Sequence, residues 1–199
     1  MKHETIETNA GWLIVLTLIV ISIGGLVEIV PLYFIDDTIE KVQVDGKDTI
    51  RPYTPLELRG RDIYQREGCY TCHSQMIRPF RDEDMRYGHY SLAAESQFDH
   101  PFQWGSKRTG PDLHRIGEKY PDAWHYNHMV DPESMSPGSI MPTYPWLIEN
   151  DLDVESTPSK IRAMQSLGMP YPQGYDERAT NDLIEQSLKI TADHFLELL

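Results

Sequence analysis

Cysteine is scarce in this chain, with two in 199 residues, Cys69 and Cys72. A structural zinc site would need two further ligands at suitable spacing, and no second cysteine pair exists to supply them. A disulfide across only two intervening residues is strained. Strand-like runs are also scarce near the pair, which argues against the βαβ setting of a thioredoxin-type CxxC. Basic residues are in deficit: 18 Lys and Arg stand against 31 Asp and Glu, giving a net charge of −13 and a pI near 4.9. So acidic a chain repels the phosphate backbone of nucleic acid and suits a basic protein partner. Internal repeats are lacking, and so is a second copy of the cysteine motif.

What is present is Cys69-Tyr70-Thr71-Cys72-His73. It reads CxxCH, the attachment signature of a c-type haem. The spacing follows from the chemistry, because two thiols add across the two vinyl groups on one edge of the porphyrin. The adjacent histidine then falls under the iron as proximal ligand. The sequence therefore predicts one haem c, bonded to Cys69 and Cys72 with His73 on the iron.

Mean hydropathy over the chain is −0.48, yet residues 11–35 are almost wholly apolar. The 24 residues WLIVLTLIVISIGGLVEIVPLYFI would make a helix of roughly 36 Å, against a bilayer core of about 30 Å. Trp12 at one end and Tyr33 and Phe34 at the other suit interfacial aromatic belts. A cleaved signal peptide fits poorly: the run is too long, lacks a small-residue cleavage site and is preceded by Glu4 and Glu7 as well as Lys2. The expected organisation is a cytoplasmic stub and transmembrane anchor at residues 1–35, a connector at 36–55 and a monohaem domain at 56–199.

Flanking charge orients the span weakly, since Lys2 precedes it while Asp36, Asp37, Glu40 and Lys41 follow. The haem decides instead. Cytochrome c maturation takes place on the outer face of the bacterial inner membrane, so the domain is expected in the periplasm and Met1 in the cytoplasm. Glu28 reads either as an interfacial carboxylate or as a contact to a neighbouring transmembrane subunit, and Gly24-Gly25 offers a flat helix surface.

Beyond the anchor, Asp45-Gly46 invites a short hairpin. Helical spacing begins at Leu56 and runs through Gly60, Ile63 and Tyr64 to the haem motif. A second helix is expected over 176–197, with Leu183, Ile184, Leu188, Ile190, Phe195 and, just beyond, Leu198 on its apolar face. Gly60-x-x-x-Tyr64 before CxxCH resembles the N-terminal helix of class I cytochromes c, where the small residue lets the first and last helices cross closely. Gly110-Pro111-Asp112-Leu113 resembles their G-P-x-L turn, which implies that the Pro111 carbonyl accepts a hydrogen bond from Nδ1 of His73 and orients it. Against that family, residues 74–109 and 150–175 are insertions. The expected fold is all-α: a single N-terminal transmembrane helix plus a class I cytochrome c-like haem domain with insertions.

Candidates for the second axial ligand are Met76, Met85, Met129, Met135, Met141, Met164 and Met169, together with the histidines from His89 to His194. Met76 is too near the motif in sequence to reach the opposite haem face. His125 and His128 share a face if their segment is helical, but two surface histidines are the commoner explanation. Met141 is the choice. It lies in the irregular loop Pro137-Gly138-Ser139-Ile140-Met141-Pro142, which resembles the distal loop of class I cytochromes, with Met135 or a histidine as alternatives. His/Met ligation raises the reduction potential.

Longer stretches carry a more specific resemblance. V-E-I-V-P-L-Y-F, G-R-D-I-Y-x-R-E-G-C-Y-x-C-H-S-Q-M-I-R-P, R-Y-G-x-Y-S, W-G-S-K-R-T-G-P-D-L and S-I-M-P-x-Y-P-W-L together resemble the monohaem subunit II of cbb3-type cytochrome c oxidase. The resemblance implies an electron-transfer subunit with no oxygen chemistry of its own. Its donor would be a dihaem cytochrome c subunit or a soluble cytochrome c. Its acceptor would be the haem b of a haem–copper catalytic subunit that reduces oxygen to water. In that family the loop from Trp104 to Thr109 approaches the catalytic subunit near haem propionates and a structural calcium. That implies Lys107 or Arg108 as propionate partners and Gly105 or Ser106 as an oxygen donor to calcium. Arg78 and Arg81, near the haem motif, either meet propionates as well or simply face solvent. On spacing alone the loop equally describes a solvated basic turn. Two other functions share one anchor helix and one CxxCH: the haem c subunit of nitric oxide reductase, and a free-standing anchored cytochrome.

Overall fold

The computed structural model describes residues 3–34, 42–44, 47–105 and 107–197. Its chain forms two compact units, Met1–Glu40 and Lys41–Leu199, so the division falls inside the 36–55 connector.

The first unit holds α1 (His3–Glu7) and α2 (Ala10–Glu28). Asn9 caps α2, its side-chain oxygen accepting the Trp12 N–H at 3.1 Å, which satisfies one of the donors a helix start leaves open. None of the α2 residues is buried. A helix apolar on every side belongs in lipid rather than water, and α2 is long and apolar enough to cross a membrane. It is shorter than the sequence suggests: 19 residues, or about 29 Å, still a match for a bilayer core of about 30 Å. The cause of the early stop is Pro31, which lacks the amide hydrogen an α-helix interior needs. Residues Val30–Tyr33 tighten there into a 3-10 turn.

The second unit opens with a two-residue antiparallel pair, β1 (Gln43–Val44) and β2 (Lys47–Asp48). The turn residues expected between them, Asp45 and Gly46, lie outside the described residues. α3 (Pro55–Arg66) begins with a capping box: Thr54 Oγ1 accepts the Glu57 N–H, and Glu57 accepts the Thr54 N–H at 2.8 Å. Pro55 in the first turn loses nothing, because its position has no intrahelical acceptor. Then follow α4 (Arg81–Tyr87), α5 (Asp122–Val130), α6 (Pro132–Met135), α7 (Trp146–Glu149), α8 (Thr157–Ser166) and α9 (Asp176–Glu197).

The core forms where α3, α8 and α9 meet. Leu58, Ile161, Met164, Met169 and Ala179 are buried together, with Tyr53, Phe98, Tyr171 and Tyr175 packed against them. The segment 150–175 contributes α8 and with it Ile161 and Met164, three residues apart on one face. Two expectations change here. α9 occupies the expected range, but it buries Ala179 and Leu183, whereas Ile184, Leu188 and Ile190 are 43%, 65% and 51% exposed. Gly60 does not mark a close helix crossing: a Cβ built there meets no described atom within 4 Å, because α3 turns Leu58 and Arg61 inward instead.

The 74–109 segment is held to α3 by charge. The Arg61 and Asp99 side chains are 7% and 8% exposed and lie 3.2 Å apart. Tyr53 donates to the same carboxylate at 2.7 Å, and Arg61 also reaches the Pro101 carbonyl. Ile161 is wholly buried, and Ile161→Ala is expected to cost about 2–5 kcal/mol. Urea unfolding checks this: the midpoint falls while the slope stays constant.

Candidate haem site

α3 stops just before the cysteines because Gly68 adopts φ +71°, a left-handed conformation that glycine reaches without steric cost. Residues Cys69–Thr71 then form a 3-10 turn. The Cys69 carbonyl accepts both the Cys72 and the His73 N–H, at 3.1 and 2.9 Å, which winds the motif into a single tight turn. Both cysteines are free thiols, Cys69 half-buried and Cys72 exposed. Burial pushes the Cys69 pKa up, against a local backbone hydrogen bond, so this sulfur keeps its proton.

His73 Nδ1 lies 2.8 Å from the Pro111 carbonyl oxygen. A carbonyl only accepts, so Nδ1 carries the hydrogen and Nε2 presents its lone pair. The turn that supplies Pro111 is tied to the motif twice, by Gly110 N–H to the Cys72 carbonyl and by Leu113 N–H to the Ser74 carbonyl, each at 2.9 Å. Gly110 lies flat against the imidazole: a Cβ there would fall 2.2 Å from Cε1 of His73 and 2.6 Å from Nδ1. Gly105 presses on the motif from another side, where a Cβ would stand 3.2 Å from the Tyr70 carbonyl and 3.3 Å from that of His73. Ser106 lies outside the described residues. Among the described residues, no group of three or more His, Cys, Asp or Glu side chains is arranged to hold a metal ion.

Behind the turn lies a polar network that sequence reading did not anticipate. Asp112, 4% exposed, accepts the Ser74 hydroxyl at 2.5 Å, the Met76 N–H at 3.0 Å and the His114 N–H at 2.8 Å. Arg108 donates to Ser74 Oγ at 2.8 Å, and to the Met76 carbonyl and Glu83 at 2.7 Å. Its guanidinium lies 5.0 Å from the centre of the Tyr87 ring. Arg78 engages Glu83 through both its backbone N–H and its side chain. The two basic residues therefore converge on one buried carboxylate. Hydrogen bonds from Arg108 and then Arg78 outweigh burial and hold the Glu83 pKa down at about 2. Arg78 and Arg108 also line a cavity of about 370 Å³, with Arg86 and Tyr87. Lys107 and Arg81 are exposed.

On another side of the motif, the loop carrying Met141 is fastened at two points. The Tyr144 N–H donates to the Met129 carbonyl at the end of α5, at 2.9 Å. Trp146 Nε1 donates to Glu67, the residue before Gly68, also at 2.9 Å. Met141 itself is half-buried, and its N–H donates to Ser139 Oγ at 3.2 Å. Burial raises the Tyr144 pKa, followed by the neighbouring Cys69 and Cys72. Two other candidate methionines and one histidine are held elsewhere, and a third methionine faces solvent. Met164 and Met169 are in the core, and Met85 is 77% exposed. His114 directs Nδ1 to the Gln75 carbonyl at 2.7 Å and Nε2 to Glu95 at 3.2 Å.

His125 and His128 are half-buried rather than surface residues. Tyr120 stacks on Trp124 with centroids 4.3 Å apart, and Trp124 stacks on His128 at 4.6 Å. Burial, then the imidazoles of His73 and His125, lowers the His128 pKa. His128 Nδ1 and the Tyr64 hydroxyl are buried without a hydrogen-bond partner, and the Tyr64 hydroxyl is close enough to Cys69 and Asp112 for both to raise its pKa after burial does. Orphaned buried polar atoms are rare in finished proteins; of four such side-chain atoms among the described residues, these two interact electrostatically with residues of the CxxCH turn. Free thiols, a histidine with its outward nitrogen fixed, a glycine reserved for the ring and unpaired polar atoms alongside all fit a haem held at this point.

No curated protein matches the chain. The family model described as cytochrome c oxidase, mono-heme subunit/FixO matches residues 3–197, and the chain belongs to that family.

Proposed function

We propose that this chain carries electrons into the oxidase through one covalently bound haem c. Cys69 and Cys72 hold the haem by thioether bonds, and His73 Nε2 and the Met141 sulfur ligate its iron. Bound haem supplies a one-electron couple; the protein supplies the positioning and the field. The observation that carries the reading is the pair of free thiols beside a His73 whose Nδ1–H is held by Pro111. That bond fixes the tautomer and the ring orientation and makes Nε2 a stronger donor. Gly110 keeps the ring flat against the turn, and the Tyr144 and Trp146 anchors hold the Met141 loop. Ligation by His and Met raises the potential relative to two nitrogen ligands, which suits passage of electrons to an oxidant.

The donor is a dihaem cytochrome c subunit or a soluble cytochrome c, and a basic one fits the net charge of −13. The acceptor is the haem b of the haem–copper catalytic subunit. No residue of this chain acts in oxygen chemistry. α2 anchors the chain in the bacterial inner membrane as a single pass, N-terminus in the cytoplasm and haem domain in the periplasm. Arg78 and Arg108 are assigned to haem propionates, with part of their charge already balanced by Glu83. Gly105 and Ser106 are assigned as oxygen donors to a calcium ion shared with the catalytic subunit.

Met141→Leu in the purified complex tests the ligand set. The expected result is loss of the sulfur-to-iron charge-transfer band and a lower midpoint potential, with the haem still bound to the chain. An unchanged low-spin spectrum and potential would remove Met141 from the iron.

A further inference from the structure

We propose that His128 is a positioning residue for the iron's methionine, its ring N–H donating a hydrogen bond to the Met141 sulfur. This rests on the assignment of Met141 as axial ligand. Three observations converge on His128. Its Nδ1 is buried with no partner, and a buried imidazole nitrogen left unpaired costs free energy that a ligand-side acceptor would recover. Its ring is held by stacking on Trp124, with centroids 4.6 Å apart and planes 12° from parallel, so it cannot swing out to solvent without losing that contact. The residue after it, Met129, accepts the Tyr144 N–H at 2.9 Å, which fastens the Met141 loop beside the C-terminal end of α5.

A second role, His128 as the iron ligand in place of Met141, fits less well. The Trp124 stack fixes the imidazole as a flat plate on α5, while the neighbouring loop offers a thioether from a chain tied down at Tyr144 and Trp146. A thioether is a weak acceptor with a lone pair to spare. Donation to it withdraws electron density from sulfur and destabilises ferric iron relative to ferrous iron. His128 therefore raises the potential of the haem and steadies the sulfur–iron bond.

The test uses the full-length chain in its purified membrane complex, with redox titration and near-infrared spectra of the haem c. His128→Phe keeps a ring on Trp124 and removes the donor. The expected result is a tenfold shift of the one-electron equilibrium toward the ferric form, about 59 mV lower, with a displaced sulfur-to-iron band. His128→Gln restores an N–H and is expected to recover most of the potential. An unchanged potential and band in His128→Phe would overturn the proposal while leaving Met141 on the iron. Absence of the sulfur-to-iron band from the unaltered protein would instead overturn the Met141 assignment, and bis-imidazole electron paramagnetic resonance signals lost in His128→Phe would make His128 the ligand.

Discussion

Gly110→Ala is expected to leave most of the protein without haem. The added methyl would lie 2.2 Å from Cε1 of His73, well inside any van der Waals contact. The neighbours cannot give way cheaply, because the Gly110 N–H is bonded to the Cys72 carbonyl and the following residue holds His73 Nδ1 at 2.8 Å. Overpacking of this kind costs typically about 1–3 kcal/mol, and here the strain falls on the His73 ring. The imidazole must tilt away, and the Pro111 hydrogen bond goes with it. Haem content per chain after acidified acetone extraction checks the result, with circular dichroism showing that the helices persist. Full haem content with an unaltered axial spectrum would mean that the turn does not hold His73 as described.

Glu83→Gln is expected to destabilise the domain more than any surface change, by about 3 kcal/mol, the low end for breaking a buried pair, because Arg108 keeps Asp112 at 3.4 Å and the Arg78 side chain is 48% exposed. The Glu83 side chain is only 5% exposed, and its partner Arg108 is 15% exposed. The same carboxylate makes stability fall in acid. Its pKa is lowered in the folded protein from 4.5 to about 2, so the folded state favours the ionised form. That contribution is complete above about pH 4.5 and is lost as the pH falls toward 2. Urea midpoints measured across this window should decline less steeply in Glu83→Gln than in the unaltered protein. Parallel acid profiles for the two would show that Glu83 is not the group that titrates.

The parts of this molecule that sequence exposes are those where chemistry dictates spacing. CxxCH points to a haem because two thiols and an imidazole at that spacing can meet one porphyrin. The apolar run names an anchor because lipid rejects polar side chains, although its true end at Glu28 depends on how Pro31 interrupts hydrogen bonding. The range of α9 was legible from its hydrophobic spacing. Which of its residues face inward was not, because that depends on α8, whose sequence is broken by polar positions and preceded by acidic residues. Glu83 was invisible for a different reason. A buried carboxylate looks like any surface acid until Arg78 and Arg108, 5 and 25 positions away, are seen to converge on it. His128 carried one signal, its i+4 spacing from Trp124, which on a helix brings the two rings over one another.

Rapid-mixing reduction of the purified oxidase by a soluble cytochrome c tests the proposed electron-carrier role most directly, with the haem c and haem b bands followed separately. The comparison is with a complex carrying Cys69→Ser and Cys72→Ser that still contains all its subunits. In the unaltered complex, haem c of this chain is expected to be reduced before haem b. In the altered complex, haem b reduction and oxygen consumption are expected to collapse together. Haem b reduction at an undiminished rate without the haem of this chain would contradict the electron-carrier role.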